Sequence, residues 1–222
     1  MDQSFAPLTL QDILKAEALI RPYIRNTPLV PFDYFNRQSG KDAWLKCEML
    51  QKTGSFKLRG AAACILNNIA QAKKAGVVAA SAGNHAQGVA SICHTLGIKA
   101  TIVMPEPTPS IKIQNTESWG AKVELVGQVV DESFVHAEKL SQEKGLLLVH
   151  PFRDPYIQAG QGTLGLELAN APEFEGVEAV LISIGGGGLI SGVGTVLRNK
   201  FPKIKIYGVT AKNAPEIGRA HV

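Results

Sequence analysis

The sequence predicts an α/β fold built on parallel sheet. Three observations point there. Apolar runs of strand length alternate with helix-like segments between about Gly76 and Pro151, and parallel strands need helical crossovers of that length. Four glycines in a row, Gly185 to Gly188, sit between a buried strand and a helix. The chain has 222 residues, 45% of them hydrophobic and 19% charged, which suffices for a real core.

The elements follow in order. Thr9 with Asp12 three residues on reads as a capping box opening the helix LQDILKAEALIRPY, which Asn26-Thr27-Pro28 breaks. DAWLKCEML reads as a strand leading into the loop QKTGS. One long helix then spans FKLRGAAACILNNIAQAKKAG, closed by Gly76. Four strand–helix steps follow. VVAAS, ATIVMP, KVELV and LLLVHP are the strands; HAQGVASICHTLG, SIKIQNTESWG and DESFVHAEKLSQEKG are the helices between them. After Pro151 come the helix AGQGTLGLELANA, the strand AVLISI, the glycine loop, the helix LISGVGTVLRNK and the strand IKIYGVT.

Composition excludes several classes. A net charge of +4 with dispersed lysines and arginines, and 6% aromatics, argues against nucleic-acid binding. The cysteines, Cys47, Cys64 and Cys93, are odd in number and form no C-x-x-C pair. Neither a disulfide framework nor a metal site is expected, and free thiols in a reducing cytoplasm are the simpler reading. The N-terminus lacks the basic start and unbroken apolar run of a signal peptide. Val177 to Leu197 holds a single charge, Glu178, but its central glycines parse it as strand, loop and helix and not as a membrane span.

Three constellations carry chemistry. Glycine at Gly185 to Gly188 lets the backbone turn sharply and lets a ligand approach its amides. The helix that follows offers unpaired N–H groups and partial positive charge, so a phosphate is the natural guest. A tight turn would explain one or two glycines, not four. The dinucleotide fingerprint fails because Ile190 stands where its third glycine belongs, and no lysine follows as in a P-loop. A small phosphate ester fits better. Ser81-Ala82-Gly83-Asn84-His85 repeats the logic at another strand end, and Asn84 adds a side chain that donates and accepts. An ordinary capped turn would explain that segment equally well. In Thr53-Gly54-Ser55-Phe56-Lys57-Leu58-Arg59-Gly60, Lys57 opens a helix between apolar neighbours. Desolvated, beside a phosphate or near Arg59, its amine loses its proton and becomes a nucleophile able to bind an aldehyde cofactor.

Together SFKLRGA, SAGNHAQGVA and GGGGLISG resemble fold type II pyridoxal-phosphate enzymes, most closely the threonine dehydratases (threonine ammonia-lyases), with serine racemases and serine dehydratases as relatives. TPL at Thr27 to Leu29, HPFRDP at His150 to Pro155 and AGQGTLGLE at Ala159 to Glu167 extend the likeness over about residues 8 to 210. The resemblance implies two open parallel sheets, tryptophan synthase β-like. The small domain would cover residues 53–150 and the large one residues 1–52 and 151–222, with the cofactor in the cleft between. Lys57 would hold pyridoxal 5'-phosphate as a Schiff base and, once released by substrate, act as the base at Cα. Phe56 would pack near the ring, and Asn84 would bond its phenolic oxygen. Gly185, Gly186, Gly187, Gly188 and Leu189 would hold the phosphate. Ser81, Ala82, Gly83 and His85 would surround the substrate carboxylate.

The implied reaction takes L-threonine, and L-serine with it, to a 2-oxo acid and ammonia. Two rival readings stand beside it: a serine racemase-like or other β-eliminating enzyme, and a non-catalytic fragment or pseudoenzyme. Racemisation needs a proton donor on the opposite face, where the racemising relatives have serine; here that position is Ala82, which favours elimination. Thr210 replaces the acid or glutamine usual in the family after the strand ending Tyr207-Gly208-Val209. The family's catalytic domain continues beyond the point matching Val222. The large domain is therefore expected to be incomplete, the chain to expose apolar surface, and its activity to be weak or absent. Gly218 to Val222 read as a tail foreign to the family. The setting implied is cytoplasmic amino-acid metabolism, isoleucine biosynthesis included, with biosynthetic and catabolic roles left open. Relatives are commonly homo-oligomers, and no membrane or nucleic-acid partner is expected.

Overall fold

A computed structural model describes residues 7–212. The tail from Gly218 lies outside them. Helix α1 (Leu10–Ile20) opens on the predicted capping box: the Asp12 N–H donates to Thr9 Oγ1 at 3.2 Å, and the Thr9 N–H donates to the Asp12 carboxylate at 3.1 Å. Strand β1 (Leu29–Pro31) pairs antiparallel with β2 (Trp44–Lys46), and α2 (Asp33–Ser39) lies between them. The strand expected over DAWLKCEML is thus only three residues long, and a 3-10 turn, Glu48–Leu50, follows it.

The long helix expected from Phe56 to Gly76 is two helices, α3 (Lys57–Asn67) and α4 (Ile69–Ala75). Asn68 breaks it. Its side chain donates to the Cys64 carbonyl at 2.9 Å, and its ψ of 29° leaves the helical region. Short amides compete in this way with the helix ladder.

Next comes the regular alternation: β3 (Val77–Ala80), α5 (Asn84–Leu96), β4 (Ala100–Met104), α6 (Ser110–Glu117), β5 (Lys122–Leu125), α7 (Val130–Lys144) and β6 (Leu147–Leu148). The strands form one parallel sheet in the order β5-β4-β3-β6. All of β3 is buried, which explains its unbroken apolar run.

Helix α8 (Pro155–Asn170) starts four residues before the predicted Ala159. Asp154 caps it, accepting from the N–H groups of Tyr156 and Ile157 at 2.7 and 3.2 Å, and Pro155 occupies the first turn where no N–H is needed. Strand β7 (Ala179–Ser183), α9 (Gly188–Lys200) and β8 (Lys205–Val209) complete a parallel pair with its crossover. The span suspected from hydropathy is therefore strand, loop and helix. No helix among the described residues is long and apolar enough to cross a membrane.

The main core joins α1, α3, α5 and α8 to the inner face of the four-stranded sheet. Glycines let α8 approach its neighbours closely. A Cβ on Gly160 would stand 2.7 Å from Gly60 Cα of α3, and one on Gly162 would stand 3.1 Å from the Gly192 carbonyl of α9. A second cluster packs α9 and α8 beneath β7 and β8. The other face of that ribbon is bare: Leu181, Tyr207 and Val209 are exposed, Leu181 by 71%. Between β7 and the β1–β2 hairpin lies an apolar cleft of about 1080 Å³, lined among others by Phe35, Trp44, Phe174, Val180 and Leu181. The expectation of exposed apolar surface is met there.

Candidate active site

Three helix N-termini, two strand ends and one linker define the site. Lys57 is the first residue of α3, directly after the loop that ends in Phe56. Its side chain is partly buried, and Nζ donates to the Pro151 carbonyl at 3.1 Å and lies 5.4 Å from the centroid of the Phe56 ring. Among the described residues no carboxylate pairs with it. Burial alone holds its pKa below the ordinary lysine value, because desolvation penalises the ammonium form. The Arg59 charge expected to act on Lys57 is spent elsewhere: Arg59 is fully buried and bonded to Glu48 and Glu167.

Lys57 shares a cavity of about 210 Å³ with Phe56, Phe152, Ser183, Gly185, Gly186, Gly187, Gly188 and Leu189. The lysine and the glycine loop, 128 positions apart at their nearest (57 to 185), are thus brought together. Gly187 is left-handed (φ +82°) and caps α9 without a side-chain bond, leaving the first N–H groups of that helix uncapped. Gly186 is glycine for a different reason: a Cβ there would overlap the Phe152 ring. Neither reason applies to Gly185. A Cβ on it would meet nothing within 4 Å.

The asparagine loop does not line this cavity, but its helix touches the lysine. A Cβ on Gly88 of α5 would stand 3.2 Å from the Lys57 carbonyl carbon and 3.1 Å from Leu58 N, so α5 crosses directly against the start of α3. Gly83 and Asn84 are exposed, whereas Ser81 and Ala82 are half-buried. Ser81 Oγ accepts from the Gly83 N–H at 3.2 Å. Gly83 caps α5 without a side-chain bond, and a Cβ there would meet open space. His85 is turned inward. Its imidazole is buried, with Nε2 2.9 Å from the Val149 carbonyl. Since a carbonyl only accepts, Nε2 carries the hydrogen, and Nδ1 is a buried acceptor with no partner among the described residues. Burial foremost, then the nearby charge of Lys57 and His150, pushes the His85 pKa down to about 3. The group His85 offers outward is its backbone N–H.

Sequence reading singled out HPFRDP as a likeness but assigned it no part in the site. His150 packs between Phe134 and Phe152, tilted against the first and edge-on to the second, at ring-centroid distances of 4.8 and 4.7 Å. Its Nδ1 accepts from the N–H groups of Phe152 and Arg153, and burial with the charges of Arg153 and Lys57 lowers its pKa to about 4. This linker supplies both the carbonyl that holds Lys57 and the ring that presses on Gly186. The signal was the compact His-Pro-Phe sequence, but only the tertiary fold reveals what it faces.

Comparison with known proteins agrees with this geometry. The profile of the family described as "Pyridoxal-phosphate dependent enzyme" matches residues 20–221, so the chain belongs to that family of pyridoxal-phosphate enzymes, and the match runs through residues 218–221 of the stretch expected to be foreign to it. It is 46% identical over 207 residues to a catabolic L-threonine dehydratase of Staphylococcus aureus (strain USA300), covering 93% of this chain and 59% of that one. The structure of maize serine racemase superposes with a TM-score of 0.90 at 33% identity, over 97% of this chain and 65% of that one. The processed form of threonine deaminase isoform 2 from Solanum lycopersicum superposes with a TM-score of 0.84 at 37% identity, over 92% and 58%. The chain therefore spans about 59% of the length of such a curated relative.

The residues present fit the family's cofactor. Gly185 and Gly83 leave open space in front of uncapped helix N-termini, where neither φ nor packing demands glycine. An amine with no carboxylate partner among the described residues faces the first of these cradles. That combination suits a phosphorylated aldehyde.

Proposed function

We propose that this chain binds pyridoxal 5'-phosphate through Lys57 and belongs to an ammonia-lyase. The enzyme would convert L-threonine, and L-serine with it, to a 2-oxo acid and ammonia. The observation that carries this reading is the Lys57 amine, half-buried and without a carboxylate, in one cavity with the Gly185–Gly188 loop.

Bound there, the cofactor supplies an electron sink for the charge left when the Cα proton departs. The protein's own part is positional. The amides of Gly185 to Gly188, with the uncapped N-terminus of α9, would hold the phosphate, with Leu189 and Phe56 near the ring. Asn84 would offer its amide to the phenolic oxygen. The substrate carboxylate goes to the N-terminus of α5, among Ser81, Ala82, Gly83 and the His85 N–H. Lys57 would take the Cα proton. Burial favours its neutral form, which a base requires. L-threonine would lose its β-hydroxyl as water, and a water taken up in turn would release ammonia and leave 2-oxobutanoate.

A racemase reading draws support from the maize structure. Ala82 speaks against it, since a methyl group donates no proton. The discontinuous large domain, residues 1–52 and 151–222 around a small one at 53–150, fits the separation of the four-stranded sheet from the β7–β8 pair. Of the two metabolic settings, the name of the S. aureus relative favours threonine breakdown over isoleucine biosynthesis. A cytoplasmic location and a homo-oligomeric assembly belong to the same proposal. The test is a keto-acid assay on the protein loaded with pyridoxal phosphate. Release of 2-oxobutanoate from L-threonine, without appearance of D-allothreonine, or of D-serine from L-serine, is expected. D-serine from L-serine as the main product would favour the racemase. Cofactor bound to Lys57 with no turnover of either substrate would favour the non-catalytic fragment.

A further inference from the structure

Two residues beyond Lys57, Arg59 anchors a buried cluster of four charges. Its guanidinium grips Glu48 with two bonds, Nε to Oε2 at 2.9 Å and Nη2 to Oε1 at 2.8 Å. Nη1 reaches Glu167 Oε1 at 2.6 Å and Thr163 Oγ1 at 3.2 Å. The second oxygen of Glu167 accepts from Lys46 Nζ, which also donates to the Thr27 carbonyl. Thr27 Oγ1 donates to Glu48. Arg59 is fully buried, and the side chains of Glu48, Glu167 and Lys46 are only 11%, 14% and 11% exposed.

Two cations and two carboxylates leave the cluster neutral. It ties the first turn of α3 to the β1–β2 hairpin and to α8. Ion clusters this deep give little net stability over an apolar replacement, because desolvation offsets their attraction. Their value lies in fixing geometry and in where the charge does not go. Here both carboxylates are committed, and none is left for Lys57.

We propose that Arg59, Glu48, Glu167 and Lys46 form a charge-closed positioning clamp that sets the first turn of α3 and keeps its carboxylates away from the Lys57 amine. None of the four touches the reacting atoms; they act through Lys57. The inference rests on the role assigned to Lys57. The other titratable groups that feel the lysine's charge are His85 from α5 and His150 from the linker into α8. The glycine-loop side of the cavity presents no titratable side chain among the described residues.

The test is competitive labelling of the cofactor-free chain with trace acetic anhydride across pH, with acetylation of Lys57 read by mass spectrometry. Arg59→Gln leaves the cluster with net negative charge and should raise the Lys57 labelling midpoint. Glu167→Gln leaves it net positive and should lower the midpoint. Each shift should be on the order of half to one pH unit. Circular dichroism checks that each variant is folded; if Arg59→Gln is not, the less central Lys46→Met takes its place with the same expected sign. Opposite shifts support the clamp. Shifts of the same sign, or none in folded variants, overturn it. Failure of the underlying reading shows up separately, as pyridoxal phosphate that does not attach to Lys57 in the wild-type chain.

Discussion

Gly186 faces the ring of Phe152, whereas Gly185 faces open space, so two neighbouring glycines predict different consequences. Gly186→Ala forces a methyl group into that ring and should cost roughly 1–3 kcal/mol of stability. Adding Phe152→Ala in the same chain should recover most of the loss. Gly185→Ala meets no atom, so stability should stay within about 0.5 kcal/mol. Pyridoxal-phosphate affinity should nevertheless fall at least tenfold, because the methyl group stands where the proposed phosphate binds. Urea unfolding and equilibrium dialysis separate the two quantities. At this scale the sequence was partly legible. The run of four glycines was readable as a loop between strand and helix, and Lys57 as the residue that opens a helix; the structure places both so and sets them in one cavity. What it did not reveal was Phe152 against Gly186, or the partners of Arg59. Glu167 lies 108 positions from that arginine, and no local pattern records such a pairing.

Helix α8 illustrates how elements meet. Its glycines exist because α3 and α9 cross it at close range. Gly160→Ala would place a Cβ 2.5 Å from the Arg59 carbonyl and 2.7 Å from Gly60 Cα, and should destabilise by roughly 1–3 kcal/mol. By contrast, a Cβ at Gly194 in the interior of α9 meets only Ile206 Cδ1, at 3.9 Å. Gly194→Ala should therefore stabilise by roughly 0.5–1 kcal/mol through helix propensity. Chemical denaturation of both variants checks the contrast. Strong caps and fully buried strands were readable: Thr9 with Asp12, and the apolar run of β3. The Asp154-Pro155 start of α8 carried a clear capping signal that the apolar pattern starting at Ala159 obscured. The break at Asn68 had no proline or glycine to mark it, and the hairpin strands of three residues were too short to show alternation.

For the whole molecule, acid should be destabilising in a defined window. The His85 pKa is about 3 in the fold and near 6.5 in the unfolded chain. Between those values the unfolded chain binds a proton that the folded chain does not, so stability rises with pH. Lowering the pH from 7 toward 4 should lower Tm, with His85 alone contributing about 1.4 kcal/mol per pH unit below about 6.5. His85→Gln should flatten that slope in a pH series of thermal melts. The cleft of about 1080 Å³ between β7 and the β1–β2 hairpin, with Leu181 and Trp44 exposed, predicts a second property. The 222-residue chain should bind anilinonaphthalene sulfonate with enhanced fluorescence while its circular dichroism remains that of a folded α/β protein.

All three scales converge on one atom, the Lys57 Nζ, held by the Pro151 carbonyl beside the glycine loop. Its role can be read directly. The chain is incubated with pyridoxal phosphate, reduced with borohydride, digested, and searched for the pyridoxyl-lysine peptide. A single adduct on Lys57 is expected, at one per chain, lost in Lys57→Ala. Adducts scattered over surface lysines, or an unmodified Lys57 in a folded chain, would rule out Lys57 as the cofactor lysine.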